Sequence, residues 1–187
     1  MQRLPHAVVL AAGLGVRLAT VRNGLPKPLV EVGGRSLLAR SLEVLQASGI
    51  VDLTVVVGYR GDLVRDAARG IWEGVSVVEN DDPGGTGSMR SLAVAWASLR
   101  DTPVEAVLLV EGDLLYGPDA VAALRGAPGP DTLLASGPTG AGDEVWILGE
   151  GTRIREISKH PASGFEVLGE LVGLSLLTRA TLDRMTD

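Results

Sequence analysis

An apolar run, Val8-Val9-Leu10-Ala11-Ala12, passes straight into Gly13-Leu14-Gly15-Val16-Arg17-Leu18, and Pro26-Lys27-Pro28-Leu29-Val30 follows a few residues later. A short continuous apolar run that ends at glycine predicts a strand buried on both faces. The glycines after it let backbone N–H groups approach an anion with no side chain in the way, and Arg17 and Lys27 supply full charge that backbone dipoles cannot. Strand, glycine turn and two cations together build a place for phosphate. Two familiar phosphate loops are excluded by spelling. A dinucleotide fingerprint needs a third glycine at position 18, where Leu18 stands, and a Walker A loop needs Gly-Lys-Ser/Thr directly after the glycines.

The rest of the chain repeats the pattern of strand, loop and helix. Ser36 is placed to cap a helix whose Leu37, Leu38, Leu42 and Leu45 recur at helical spacing, with Gly49 to end it. Leu53 to Val57 is a buried strand stopped by Gly58, and a helix is predicted from Asp62 to Arg69. Val75 to Val78 is a third strand. It leads into a polar, glycine-rich loop, Glu79 to Gly87. Ser88 is placed to cap the next helix, with Leu92, Trp96 and Leu99 inward; Ala106 to Val110 is a fourth strand, ending at Glu111-Gly112-Asp113; and Asp119 is placed to cap a helix near Pro118. Strands alternating with helices predict a parallel, doubly wound α/β sheet with ligands bound beyond its carboxyl ends. From Gly126 helices thin out. Thr132 to Ala135, Glu144 to Leu148, Arg153 to Ile157 and Leu174 to Leu177 read as strands of a mixed, partly antiparallel half, and Arg179 to Met185 as a last helix. No linker divides the halves, so residues 1–187 read as a single domain, with a doubly wound half over 1–125 and a mixed half over 126–187.

Composition narrows the function classes. A chain of 187 residues that is 45% hydrophobic and 21% charged can close one core. With a net charge of −6 and no run of Lys or Arg, a footprint for nucleic acid is absent, whereas small phosphates need only a few local cations. The absence of cysteine removes thiolate zinc sites and thiol nucleophiles, and points to a cytosolic setting. Met1 to Leu10 reads as a first strand and not as a signal peptide, and no apolar run approaches a membrane span. Aromatics are 3% of the residues, so any aromatic near a site carries weight.

The long ordered pattern Leu10 to Leu18 with Pro26-Lys27-Pro28-Leu29-Val30-Glu31-Val32-Gly33-Gly34 resembles the signature of nucleotidyltransferases that make nucleotide-diphospho sugars and alcohols. The resemblance implies a Rossmann-like, GT-A-like fold. It lays Leu10, Ala11, Ala12 and Gly13 along the nucleotide base, and Gly15, Arg17 and Lys27 at the triphosphate. Asp113 follows an apolar strand and flexible Gly112, and its hard oxygens suit Mg²⁺ shared with phosphates; in the resembled family the Gly-Asp after this strand holds the metal. The family also has a second metal-binding Asp near its C-terminus, and no segment up to Asp187 resembles it.

The region downstream divides the family's members. Gly85-Thr86-Gly87 resembles uridylyl- and thymidylyltransferases acting on sugar 1-phosphates. The spacing from Asn80 to Ser91-Leu92 resembles bacterial choline-phosphate cytidylyltransferases, in which paired asparagines stand where this chain has Gly87 and Ser88. N–H groups opening a helix at that point can grip a base edge or a phosphate. Asp143-Glu144-Val145-Trp146, Ile157-Ser158-Lys159-His160-Pro161 and Gly169-Glu170-Leu171-Val172-Gly173 fall where this family meets the acceptor. Strand alternation puts Glu144 and Trp146 on one face, and a carboxylate beside an indole suits a quaternary ammonium. Trp146 equally suits the core of an aromatic-poor protein. Tyr116 and Phe165 are candidate walls, and Lys159 and His160 candidate phosphate contacts; His6 reads as structural.

If the resemblance holds, an acceptor phosphate oxygen attacks the α-phosphorus of a nucleoside triphosphate and pyrophosphate leaves. The acceptor is already an anion, so no general base is required. The specific expectation is CTP with phosphocholine or a related phosphoalcohol; the alternatives are a sugar 1-phosphate uridylyl- or thymidylyltransferase and a nucleotide-binding module without catalysis.

Overall fold

The computed structural model describes residues 5–15, 24–142, 144–161 and 164–186. In chain order the elements are β1 (His6–Ala11), a 3-10 turn at Lys27–Leu29, the small hairpin β2 (Glu31–Val32) and β3 (Arg35–Ser36), α1 (Leu37–Ala47), β4 (Leu53–Val57), α2 (Gly61–Ile71), β5 (Ser76–Glu79) and α3 (Ser88–Leu99). They continue as β6 (Ala106–Glu111), α4 (Pro118–Gly126), β7 (Thr132–Ser136), β8 (Trp146–Glu150), β9 (Arg153–Ser158), β10 (Glu166–Thr178) and α5 (Arg179–Thr186).

The order β5-β4-β1-β6 is parallel throughout, and β10 joins β6 antiparallel. β1 is therefore a central strand, and its residues alternate between two cores. Ala7, Val9 and Ala11 pack with Leu38, Leu42 and Leu45 of α1, Val64 of α2 and Val121 of α4. Val8, Leu10 and Ala12 pack with Leu92, Ala95 and Trp96 of α3 and Leu182 of α5. A strand apolar on both faces has helices on both faces, which is the doubly wound arrangement the sequence predicts. At α5 the layer is fastened by polar contacts as well. The Trp96 indole N–H donates to Asp183 Oδ1 at 2.8 Å, and the Arg179 guanidinium lies 5.0 Å from the centre of the same ring.

Strand β10 joins the two halves. Ser175 pairs with Leu109 of β6 and Leu133 of β7, and Glu170 pairs with Ser136 of β7 and Trp146 of β8. β6 and β8 thus share one edge of β10, β7 takes the other, and the halves form one mixed sheet in a single α/β domain. The sequence shows only Leu174 to Leu177 of this strand, because Gly169 and Gly173 interrupt the apolar pattern. Gly173, at φ +91°, is required there: a Cβ on it would stand 2.9 Å from Cγ of Glu111.

Two predicted caps are corrected. Ser36 does cap α1, accepting from Ala39 N at 3.1 Å. At α3, however, Gly87 takes the cap position with no side-chain bond, and the Ser88 hydroxyl is spent on Glu111. At α4 the cap position belongs to Gly117, and Asp119 falls within the first turn. β8 begins at Trp146, so Glu144 lies outside it. Among the described residues no helix is long and apolar enough to cross a membrane.

β1 and β6 also touch just past their ends, where Gly112 N donates to Leu10 O at 2.8 Å, and a Cβ on Gly112 would stand 2.6 Å from that oxygen. Gly112→Ala is expected to cost about 1–3 kcal/mol in denaturant unfolding. Gly126→Ala, where a Cβ would meet nothing within 4 Å, is expected to be neutral or stabilising by up to about 1 kcal/mol.

Candidate active site

The parallel strands deliver their carboxyl ends to one edge. Leu10 pairs with Glu111 across β1 and β6, and just beyond them Ala12 O accepts from Tyr59 N at 3.0 Å, tying the start of the glycine turn to the loop after β4. A cleft of about 370 Å³ opens here. β1 and its turn contribute Leu10, Ala11, Ala12, Gly13 and Gly15, the 3-10 turn contributes Lys27, the segment from β5 into α3 contributes Asn80, Gly87 and Ser88, and the residue after Gly112 is Asp113. The structure thus gathers every residue that the sequence places at the nucleotide except Arg17, which lies outside the described residues. Gly15 has φ +55°, the left-handed conformation that suits glycine.

The Lys27 ammonium forms an ion pair with the Asp113 carboxylate across 86 positions of sequence, each side chain less than a third exposed. A third charged group, not singled out from sequence, lies with them. Glu111 lines the cleft, and burial raises its carboxyl pKa; the Ser88 hydroxyl bond lowers it, Asp113 raises it further and Lys27 lowers it. The available signal was an acid closing an apolar strand two residues before Asp113, where alternation returns a side chain to the same face.

These carboxylates fit a divalent cation that is shared with a ligand. Asp113 already carries a cation, the Lys27 ammonium, and both acids offer hard oxygen donors. Among the described residues no group of three or more His, Asp or Glu could hold a metal by itself. A metal on Asp113 would therefore complete its shell from phosphate oxygens and water, the habit of Mg²⁺.

The predicted acceptor residues lie elsewhere. Tyr116 is packed against the core, its hydroxyl 2.8 Å from Ser41 Oγ of α1, and burial pushes its phenol up to about 12. It does not line the cleft; its hydroxyl is held against α1. Glu144 does not share a strand face with Trp146; its carboxylate folds back to accept from Gly142 N at 3.1 Å, and its own backbone N–H, then that of Gly142, lowers its pKa. The carboxylate opposite Trp146 across the β8/β10 pair is Glu170, which accepts from Thr139 N at 2.7 Å and Thr139 Oγ1 at 3.1 Å. Lys159 is exposed in the turn after β9. His160 shares that turn and donates its backbone N–H to Ser158 Oγ at 3.1 Å. His6 Nε2 lies 2.9 Å from Thr54 Oγ1, away from the cleft. Asp143 lies outside the described residues.

A central strand that brings a glycine turn, a lysine and a strand-end aspartate to one cleft defines a nucleotidyltransferase-type domain. Residues 7–166 match the family described as the MobA-like NTP transferase domain, and the chain belongs to that family. Among curated relatives it is 39% identical over 135 residues to the CMP-5'-(3-aminopropyl)phosphonate synthase of Streptomyces rubellomurinus, a match that covers 71% of this chain and 21% of that protein. The chain spans between a fifth and two fifths of the length of such relatives. Among solved structures, the inositol-1-phosphate CTP transferase from T. maritima superposes with a TM-score of 0.76 at 24% identity, covering 96% of this chain and 73% of that one. The CTP:phosphocholine cytidylyltransferase from Streptococcus pneumoniae superposes with a TM-score of 0.66 at 23% identity, with the same coverage. At such identities these structures show a shared fold.

The placement of Tyr116 has a measurable consequence. Its folded pKa of about 12 stands above the ordinary 10. The stability it contributes is therefore complete below pH 10 and is lost as pH rises from about 10 to 12. Tyr116→Phe is expected to cost about 1 kcal/mol at neutral pH, to flatten the fall in stability over that alkaline window, and to leave nucleotide affinity unchanged in calorimetry.

Proposed function

We propose that this chain is a nucleotidyltransferase that transfers CMP from CTP to a small phosphate or phosphonate bearing a cationic nitrogen, phosphocholine or a close analogue, with release of pyrophosphate. The observation that carries the reading is the Lys27–Asp113 pair set in a cleft edged by the glycine turn. The attacking group is an acceptor oxyanion. Its lone pair forms the new bond to the α-phosphorus while the bond to the β-phosphate oxygen breaks, and pyrophosphate carries the charge away. No proton has to be removed, so a cleft without histidine among its described residues suffices. What the step requires is screening of several negative charges brought together.

In this reading the N–H groups of Gly13 to Gly15 lie along the phosphates, and Arg17, two positions on in the sequence, adds charge. Lys27 leaves Asp113 for the β- and γ-phosphates, and Asp113 is freed to hold Mg²⁺, which when bound supplies further charge neutralisation. Glu111, beside Asp113, keeps the field of the cleft attractive to the cation.

The choice of CTP and a zwitterionic acceptor is supported by the relatives. One is named for an aminoalkylphosphonate and one for phosphocholine, both of which pair an anionic head with a cationic nitrogen. The acceptor half offers a matching pair. Trp146 and Glu170 face each other across β8 and β10, three residues along β10 from the Gly173 that abuts Glu111, or roughly 10 Å past the carboxyl edge. An indole beside a carboxylate suits an ammonium group.

Pyrophosphate release from a matrix of CTP, UTP, dTTP and GTP against phosphocholine, an aminoalkylphosphonate and sugar 1-phosphates tests the assignment. CTP with one of the nitrogen-bearing acceptors is expected to lead by at least about tenfold in kcat/KM; a lead for UTP or dTTP with a sugar 1-phosphate would replace the substrate choice, and binding without release from any pair would leave a non-catalytic module. Lys27→Ala is expected to lower kcat by about 10²–10³-fold while shifting the unfolding midpoint little, since a pair of this exposure contributes at most about 1 kcal/mol. A folded Lys27→Ala protein with normal turnover would sink the mechanism.

A further inference from the structure

Asn80 follows directly on β5 and is 2% exposed. Its side chain ties the loop that follows to α3. The amide group donates to Thr86 Oγ1 at 3.2 Å and to Ser91 Oγ of α3 at 3.1 Å, while Oδ1 accepts from Asp82 N at 3.1 Å. Its backbone N–H donates to Val57 O of β4 at 2.8 Å. Both amide hydrogens are thus committed inside the protein. The segment from Asp81 to Gly87 closes on itself through the same residues: Gly85 N donates to Asp82 Oδ1 at 2.9 Å, and the Thr86 hydroxyl donates to Asp82 O. This segment supplies Pro83, Gly84, Thr86 and Gly87 to the cleft and sets the start of α3, where Ser88 meets Glu111.

We infer that Asn80, which lines the cleft with both amide hydrogens already committed inside the protein, is a positioning residue for the cleft wall, acting through the Asp81 to Gly87 segment. The segment contains three glycines and lies largely at the surface. Without a hub it has many conformations to lose, and a loop that must be ordered on binding takes that cost out of affinity. Asn80 removes the cost in advance by fixing the segment to β5 and α3 together. The inference rests on the nucleotidyl-transfer reading for its role in the reaction, though the hub itself is a property of the free protein.

The test compares wild type, Asn80→Ala, Thr86→Val and the double variant. It measures CTP affinity by calorimetry, KM and kcat, and amide hydrogen exchange of residues 81–88 without nucleotide. Asn80→Ala is expected to raise the Kd and KM for CTP about tenfold, to leave kcat within about twofold, and to speed exchange across the segment. Thr86→Val is expected to reproduce part of this, and the double variant to fall short of the sum of the two, because the residues share one bond within one network. Unchanged Kd and exchange in folded Asn80→Ala would overturn the inference, as would a fall in kcat at unchanged KM or full additivity of the two substitutions. Should Asn80→Ala fail to fold, Thr86→Val decides by itself at its partly exposed position: weaker-binding, faster-exchanging protein supports the hub, and wild-type values in both overturn it. A wild type that releases no pyrophosphate from any pair would overturn the transferase reading alone, since Kd and exchange still judge the hub; a wild type that binds no nucleotide would overturn both.

Discussion

Strand β1 is hydrogen-bonded on both edges and buried on both faces, so its direction and register are set by four sets of neighbours at once. Parallel pairing with β4 and β6 obliges all three strands to end on the same side of the sheet. Gly13, Gly58 and Gly112 lie just past their ends, and the approach there is close: a Cβ on Gly58 would stand 2.8 Å from Ala12 O, and one on Gly112 2.6 Å from Leu10 O. The cleft is the space left where three glycine-ended strands turn away from one another.

The charges in that space contribute little to stability. The Lys27–Asp113 pair is partly exposed, and a pair of this kind contributes between 0 and about 1 kcal/mol. The two core clusters that grip β1 contribute far more, through complete burial of residues such as Leu38, Leu42, Val55 and Trp96. The rigid sheet holds the cleft open, and a weak, partly exposed ion pair occupies it; in the proposed function a metal-bound triphosphate would displace that pair.

Much of this was legible in the sequence, because burial on two faces leaves an apolar run and glycine marks its end. The parallel half and the cleft at its carboxyl edge follow from that rule applied to Val8, Leu53 and Ala106 in turn. What was not legible depended on partners distant in sequence. Ser88 looks like a helix cap until Glu111 arrives from β6 to take its hydroxyl. Tyr116 looks like a wall of the site until α1 brings Ser41 beneath it. Glu144 was read as part of a strand because alternation was extended two residues too far, so the carboxylate that faces Trp146 across the sheet, Glu170, was not paired with it. Gly169 and Gly173 concealed most of β10 because the need for glycine at 173 lies in the neighbouring Glu111 side chain, which no local pattern contains.

The central claim is that one nucleoside triphosphate, with its metal, separates Lys27 from Asp113. A crystal structure of the protein with Mg²⁺ and a non-hydrolysable CTP analogue tests this most directly. The account predicts the phosphates along Gly13 to Gly15 with the Lys27 ammonium on them, and Mg²⁺ on the Asp113 carboxylate. An intact Lys27–Asp113 pair beside a bound nucleotide, or nucleotide bound away from the glycine turn, would contradict it.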